Sequence, residues 1–423
     1  MNQQPLKINI QSEIGKLNAV LLHSPGAEVE NMTPRNAQRA LYSDILNLSI
    51  AQREYEQLYG VLGKVAQIYD VKTLLQKVLD NPQERAALIG KICVSEEVTD
   101  YYEALMAMNS KDLARVLIEG LPARINTLTA YLQNEYYALA PLYNFYFTRD
   151  SSVTIGNSAL ICRMANKVRM RESLIMEAIY KGSGMFECDI INSHEFQPNS
   201  RDIFMEGGDI LIAREDILLI GNGVRTSTQG IDLLVERMCR SNFEGKRHVI
   251  VQQLPETPES FIHLDMVFTL LDKDKCMVFE PLILGDNQYQ TVHMTIDNGK
   301  VTKIKSVANI PSVLRRLGMD LEPIVCGGQA DDWDQEREQW HSGANFFAFA
   351  PGKVLSYARN IHTLNELANK GFEIIPAWDV INGKADITGD KLCVVTIDGS
   401  ELPRGGGGAR CMTMPLSRNA VEW

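Results

Sequence analysis

The chain has 423 residues, enough for two or three ordinary domains or for one large α/β domain carrying an insertion. Its 45% apolar and 22% charged residues exclude disordered and fibrous classes. With 42 Lys and Arg against 53 Asp and Glu, the net charge of −11 repels phosphate backbones and anionic lipid, so neither a nucleic-acid nor a membrane partner is expected.

No apolar run reaches the roughly 18 residues of a membrane span. The stretch 346–350 (FFAFA) is stopped by Pro351 and Gly352. The first residues, MNQQPLKINI, lack the basic-then-apolar order of a secretory leader. The eight cysteines are scattered without a CxxC pair, which argues against a zinc site or a disulfide framework. Reduced thiols and a cytoplasmic location are the expectation.

In chain order, residues 17–22 (LNAVLL) predict a buried strand ended by His23-Ser24-Pro25-Gly26. Residues 36–65 carry helical spacing and 66–71 a strand. From 72 to 141 short amphipathic stretches follow one another, with Asn81-Pro82 and Asn109 as helix caps, and predict an all-helical insertion. The remaining chain, 1–71 and 142–423, is then one catalytic domain.

Beyond 142 a module recurs: hairpin, helix, strand. Its copies are 153–162 with helix 171–182 and strand 185–191; 209–221 with helix 227–240 and strand 248–254; 265–280 with helix 311–318; and 345–358 with helix 361–370 and strand 372–377. A fifth copy starts at Cys411 and must borrow strand 17–22, helix 36–65 and strand 66–71. The expected fold is therefore α/β, with five ββαβ units in a ring that both chain ends close. Closure removes the exposed edges an open array would leave.

Polar motifs recur just ahead of each unit's first strand: Asp150 in FTRD, Glu206 in MEGGD, His263 and Asp265 in HLD, Asn345, and Cys411 after RGGGGAR. In a ring, these starts converge on one pocket. Cysteine beside a glycine run and Arg410 suits a reactive thiolate, whereas the other seven read as small buried hydrophobes. His263 with Asp265 two positions on suits acid/base work beside an anion. Asp209 reads as structural, and Arg149 either neutralises Asp150 or points away.

These motifs, with SEIGKLNAVLLHSPGAE (12–28), GNGVRTS (221–227) and WHSGANFFAFAPGKVLSYARN (340–360), resemble the arginine deiminases of the guanidino-group-modifying superfamily. The resemblance runs the length of the chain. It implies a five-bladed α/β propeller, the pentein fold, and hydrolysis of L-arginine to L-citrulline and ammonia without a metal or cofactor. It implies that Cys411 is the nucleophile, that His263 is the acid and then the base, and that Asp150 and Asp265 clamp the guanidinium. Glu206 would support both the His and the substrate. Arg169 and Arg225 would hold the substrate carboxylate, with Asn144 and Phe147 lining that end.

One position departs from the pattern. Family members commonly carry an Arg five residues before the Cys, where this chain has Gly406 between Arg404 and Arg410. One of these arginines would take its role, or the pocket would accept a modified arginine. The alternative function is the same Cys/His chemistry on another guanidino compound, or transfer of the amidino group to an amine. Association into a homo-oligomer is expected.

Overall fold

The computed structural model describes residues 4–423 except 33–41, 43, 126, 134–135, 197–199, 201 and 242. It is an α/β fold in which one local pattern appears five times. In the first copy, strands Ser152–Ile155 and Ser158–Ile161 form a hairpin, helix Met170–Gly182 follows, and Asp189–Asn192 returns parallel to the hairpin's second strand. The second copy does the same with Ile210–Arg214, Ile217–Asn222, helix Thr228–Arg240 and strand Arg247–Gln253.

Local chemistry explains each piece. The hairpin residues ILIA and ILLI are buried on both faces, so the strands read as continuous apolar runs rather than alternating ones. The helix buries Ile231, Leu234 and Val235 on one face and is capped by Ser227, whose side chain accepts from the Gly230 N–H.

The third copy pairs Phe268–Leu270 with Lys275–Val278 and adds Glu322–Val325 in parallel after helix Ile310–Arg316. The intervening segment forms a second hairpin, Thr291–Asp297 and Lys300–Val307, absent from the sequence expectations. It docks on Arg247–Gln253 and enlarges the second sheet to five strands. Its turn is Asn298-Gly299, both at positive φ, the geometry that a tight hairpin favours.

The fourth copy corrects the expected strand order. Glu373–Pro376 is a strand, but Cys393–Ile397 lies between it and Lys353–Tyr357, parallel to both. The reason lies in the side chains. CVVTI is buried throughout, whereas EIIP exposes Glu373 and ends in Pro376, which suits an edge.

The fifth copy joins the two ends of the chain. Met414–Arg418 is antiparallel to Leu17–Leu22, which is parallel to Gln67–Asp70. Its helix is Leu48–Val65, capped by Asn47, and so starts later than the expected residue 36. Residues 36–41 of that expectation lie outside the described residues.

Between the strand Gln67–Asp70 and the first copy, the expected caps Asn81 and Asn109 accept from the Glu84 and Asp112 N–H groups. The helices are Val71–Leu79, Pro82–Ser95, Tyr102–Met106, Ser110–Glu119 and Leu128–Gln133. The segment is not all helical, because Leu121–Pro122 pairs with Tyr137–Leu139. Its apolar side also does not close on itself. Leu75, Leu88, Ile89 and Leu117 share one core with Ile175 and Ile179 of the first copy and Leu21 and Met414 of the fifth. Among the described residues, no helix is long and apolar enough to cross a membrane.

Candidate active site

Each expected polar residue stands at the start of its copy's first strand. Asp150 lies in the turn Thr148–Ser151, Glu206 precedes Gly207–Asp209, His263 precedes the turn Leu264–Met266 and Asp265 lies within it, and Cys411 precedes Met414–Arg418. Backbone and side-chain contacts tie these starts together. Arg149 N–H donates to the Cys411 carbonyl at 3.1 Å, and Leu264 N–H to Asp209 Oδ1 at 2.9 Å. Asp209 thus has the structural part expected of it, fixing the residue after His263. Gly208 is required at its position, because a Cβ there would come within 2.5 Å of the His263 Nδ1.

Cys411, His263, Asp150, Arg169, Arg225, Asn144 and Phe147 line one cavity with Ile262 and Gly405, Gly406 and Gly407. Its volume is ≈ 30 Å³, far below the roughly 300 Å³ or more of a typical small-molecule site. Larger clefts, such as one of ≈ 810 Å³ beside Asn9 and Arg237, contain none of these groups.

His263 Nε2 lies 3.0 Å from Glu206 Oε2, and its Nδ1 lies 3.8 Å from Asp150 Oδ1. Burial opposes the imidazolium, but Asp150 and the Glu206 hydrogen bond outweigh it and raise the His263 pKa to about 9. Burial likewise opposes the Glu206 carboxylate, yet Arg225 and His263 hold it down at about 2. The pair is therefore an ion pair at neutral pH.

Cys411 is 3% exposed. Its Sγ accepts from Asn345 Nδ2 at 3.2 Å and lies 3.7 Å from Asp265 Oδ2. Burial, then Asp265 and Asp150, push the thiol well above its ordinary value. In the free protein the sulfur therefore keeps its proton, and a cation over it would release that proton.

Two internal guanidiniums occupy part of the acid set. Arg169 Nη1 donates to Asp150 Oδ2 at 2.7 Å, while its Nε and Nη2 fork onto Glu172. Arg410 Nη1 donates to Asp265 Oδ2 at 2.8 Å. Among the described residues, Asp150 Oδ1 is buried without a hydrogen-bond partner, and so is Arg225 Nη1, which sits 3.6 Å from Glu206 Oε1. An unsatisfied acceptor at one place and an unsatisfied donor at another suit a ligand with a cationic and an anionic end. Asp150, Glu206 and His263 offer ligand atoms within 4.8 Å of one another, a spacing that would also hold a cation. Arg169 and Arg225 already face those carboxylates.

Several expectations are refined. Arg149 points away from Asp150, its Nε donating to the Arg410 carbonyl, because Arg169 already neutralises that carboxylate. Arg404 is exposed and pairs with Asp44 and Glu401, and Arg410 is buried against Glu13 and Asp265. Among the described residues, neither extends into the space at Gly406, whose backbone is left-handed (φ +83°) and where nothing lies within 4 Å of where a Cβ would be.

The sequence reading missed four residues: Asn345 as a partner of the sulfur, Glu172 beneath Arg169, Glu13 beneath Arg410, and Glu54. Asn345 had a signal in its recurring position. Its Oδ1 accepts from the Arg410 and Cys411 N–H groups, clamping the nucleophile's backbone as well. Glu54 had none. It lies on the helix Leu48–Val65 and accepts from the N–H groups of Ser400, Glu401 and Leu402, which anchors the start of the glycine loop.

Comparison with known proteins gives the family and the fold. The arginine deiminase family matches residues 38–418. The arginine deiminase of Staphylococcus aureus (strain Newman) is 31% identical over 436 aligned residues, covering 100% of both chains, and that of strain MRSA252 is 30% identical over the same span. Among solved structures, the N-terminal domain of ArgZ, a cyanobacterial arginine dihydrolase, matches with a TM-score of 0.51 at 13% identity, covering 95% of this chain and 99% of that one. A dimethylarginine dimethylaminohydrolase matches with a TM-score of 0.51 at 12% identity over 94% and 99%. Both likenesses concern the fold. The chain belongs to the arginine deiminase family, hydrolases of the guanidino C–N bond.

Proposed function

We propose that the protein hydrolyses free L-arginine to L-citrulline and ammonia through a covalent amidino adduct on Cys411. One observation carries the reading: a thiol, a protonated imidazole and a buried unpartnered carboxylate oxygen face one cavity that also holds an unpartnered guanidinium N–H.

A guanidinium is planar, cationic and a poor electrophile. Asp150 and Asp265 grip its edges and keep its charge on the central carbon. The same cation offsets the anions that keep Cys411 protonated, so substrate binding makes the nucleophile. The thiolate adds to the guanidinium carbon. His263, cationic because Glu206 and Asp150 hold it so, gives its proton to the departing nitrogen, and ammonia leaves. The neutral imidazole then takes a proton from water, whose oxygen attacks the amidino carbon. Collapse breaks the C–S bond, returning the thiol and leaving a ureido group.

Arg225 and Arg169 receive the substrate carboxylate beside Asn144 and Phe147. Arg169 does so once the pocket opens and its hold on Asp150 loosens. The space at Gly406 favours a second reading, a substituted guanidinium or an amidino transfer at the same site. We read the sheets of the five copies as the blades of a closed five-bladed α/β propeller, with 72–141 inserted as a mainly helical domain that shares its core with the first and fifth copies, and 1–71 with 142–423 as the catalytic domain.

The test is to incubate purified protein with arginine and to quench. Citrulline and ammonia in equal amounts, with an amidino mass increment on the Cys411 peptide, support the reading. Ornithine as the main product overturns it.

A further inference from the structure

Behind Cys411 lies a buried charged cluster of which the reaction just described uses only Asp265. Glu13 comes from the N-terminal segment, 397 residues before Arg410, yet its carboxylate takes two guanidinium N–H groups of that arginine, Nε and Nη2, both at 3.0 Å. The remaining Nη1 goes to Asp265 Oδ2 at 2.8 Å, and this same oxygen lies 3.7 Å from the Cys411 sulfur. Backbone groups hold both partners as well. Glu13 is held by the Ile212 N–H at 3.2 Å, and Arg410 Nη2 also donates to the Ile210 carbonyl at 2.8 Å.

Charge makes the arrangement consequential. Arg149 and Arg418 are buried beside the pair, so three guanidiniums face two carboxylates. Arg149 makes no ion pair among the described residues, and Arg418 donates to the Gly15 carbonyl. In a low-dielectric interior, removing one anion leaves the full Arg410 charge directed at Asp265 and the sulfur. The other titratable groups acting on the sulfur are Asp150 and the phenols Tyr146 and Tyr357, and among the described residues no hydrogen bond or ion pair ties any of them to Glu13.

We propose that Glu13 is a positioning residue: by forking onto Nε and Nη2 of Arg410 it leaves Nη1 for Asp265, and so sets the aim of Asp265 and the positive charge felt by Cys411. The inference rests on the Cys411 chemistry proposed above, but its test needs no turnover.

The experiment follows iodoacetamide alkylation of Cys411, read by peptide mass spectrometry at about pH 8 without arginine, in Glu13→Gln and Glu13→Asp. The glutamine keeps the shape and loses the charge. Its Cys411 rate is expected to rise about tenfold, equivalent to one unit in thiol pKa, while kcat/KM for arginine falls about 10–100-fold because Asp265 loses its aim. Glu13→Asp retains the charge and keeps the wild-type alkylation rate, whatever it does to Tm. A folded Glu13→Gln with an unchanged alkylation rate overturns the proposal, as does an aspartate variant that behaves like glutamine.

Should Glu13→Gln fail to fold, Arg410→Lys decides. An ammonium cannot fork, Asp265 loses its fixed partner, and the alkylation rate is expected to fall severalfold; an unmoved rate overturns the proposal. A shifted alkylation rate in a protein that does not turn over arginine condemns the arginine reading alone.

Discussion

Asp150 and Arg169 meet at 2.7 Å with both side chains buried, so the carboxylate proposed to grip a substrate guanidinium already holds an internal one through Oδ2. Among the described residues Oδ1 accepts no hydrogen bond, and it lies 3.8 Å from His263 Nδ1. Substrate therefore completes a half-occupied carboxylate rather than finding a bare one. Asp150→Asn is expected to lower kcat/KM for arginine by about 10²–10³-fold, the usual scale for removing one preorganised charge contact. It is also expected to lower Tm, since Arg169 loses a buried partner. Steady-state citrulline assays and a thermal melt check both, and wild-type activity in the variant would falsify the clamp.

Arg225 Nη1 is a buried donor in the pocket that makes no hydrogen bond among the described residues. Arg225→Ala should raise KM for arginine by about 10–100-fold, the loss of a charge-assisted hydrogen bond of about 1.5–3 kcal/mol. Agmatine lacks the carboxylate and should react poorly with the wild type, with a KM that the variant leaves nearly unchanged. If agmatine proves as good a substrate as arginine, Arg225 does not read the carboxylate.

His263 titrates at about 9 rather than 6.5 because Asp150 and Glu206 outweigh its burial. Once substrate has ionised the thiol, kcat should fall as pH rises towards that value, since the departing nitrogen then lacks an acid. Glu206→Gln removes the anion and should move this limb down by a unit or more. Linkage has the same sign: a raised folded pKa stabilises the fold fully below about 6.5, and the contribution disappears as pH rises through about 9. A pH–rate profile of the two proteins, with melts at both ends of the range, checks this. An alkaline limb unmoved by Glu206→Gln argues against His263 as the acid.

Glu54 gathers the backbone N–H groups of Ser400, Glu401 and Leu402 onto one carboxylate. Glu54→Ala leaves those donors without their acceptor, at about 1–3 kcal/mol for each that stays buried. The expected result is a lower Tm together with protease cleavage within 399–410 that the wild type resists. A drop in Tm without new cleavage there would mean that Glu54 stabilises the fold but not the loop.

How far the sequence could be read follows from the range of each interaction. The hairpins at 210–222 and 347–357 announce themselves because burial on both faces demands consecutive apolar residues, and the caps Asn81 and Asn109 because they act over three positions. The strand Cys393–Ile397 was equally apolar, but its place between two other strands is a matter of sheet order, which no local pattern encodes. The hairpin at 291–307 had its Asn-Gly turn in plain view, yet its neighbour in the sheet is a strand of another copy.

The site divides in the same way. Residue types and their recurring position ahead of each strand were sufficient for the sequence alone to nominate Cys411, His263, Glu206, Asp150 and Asp265, because a thiol, an imidazole and carboxylates are chemically distinctive wherever they lie. Which cation faces which anion was decided only by the tertiary structure. Arg169 rather than Arg149 neutralises Asp150, and Arg410 bridges Glu13 to Asp265 across almost the whole length of the chain. Charge pairing in a buried site depends on distances of a few ångströms between segments far apart in sequence, and only folding sets those distances.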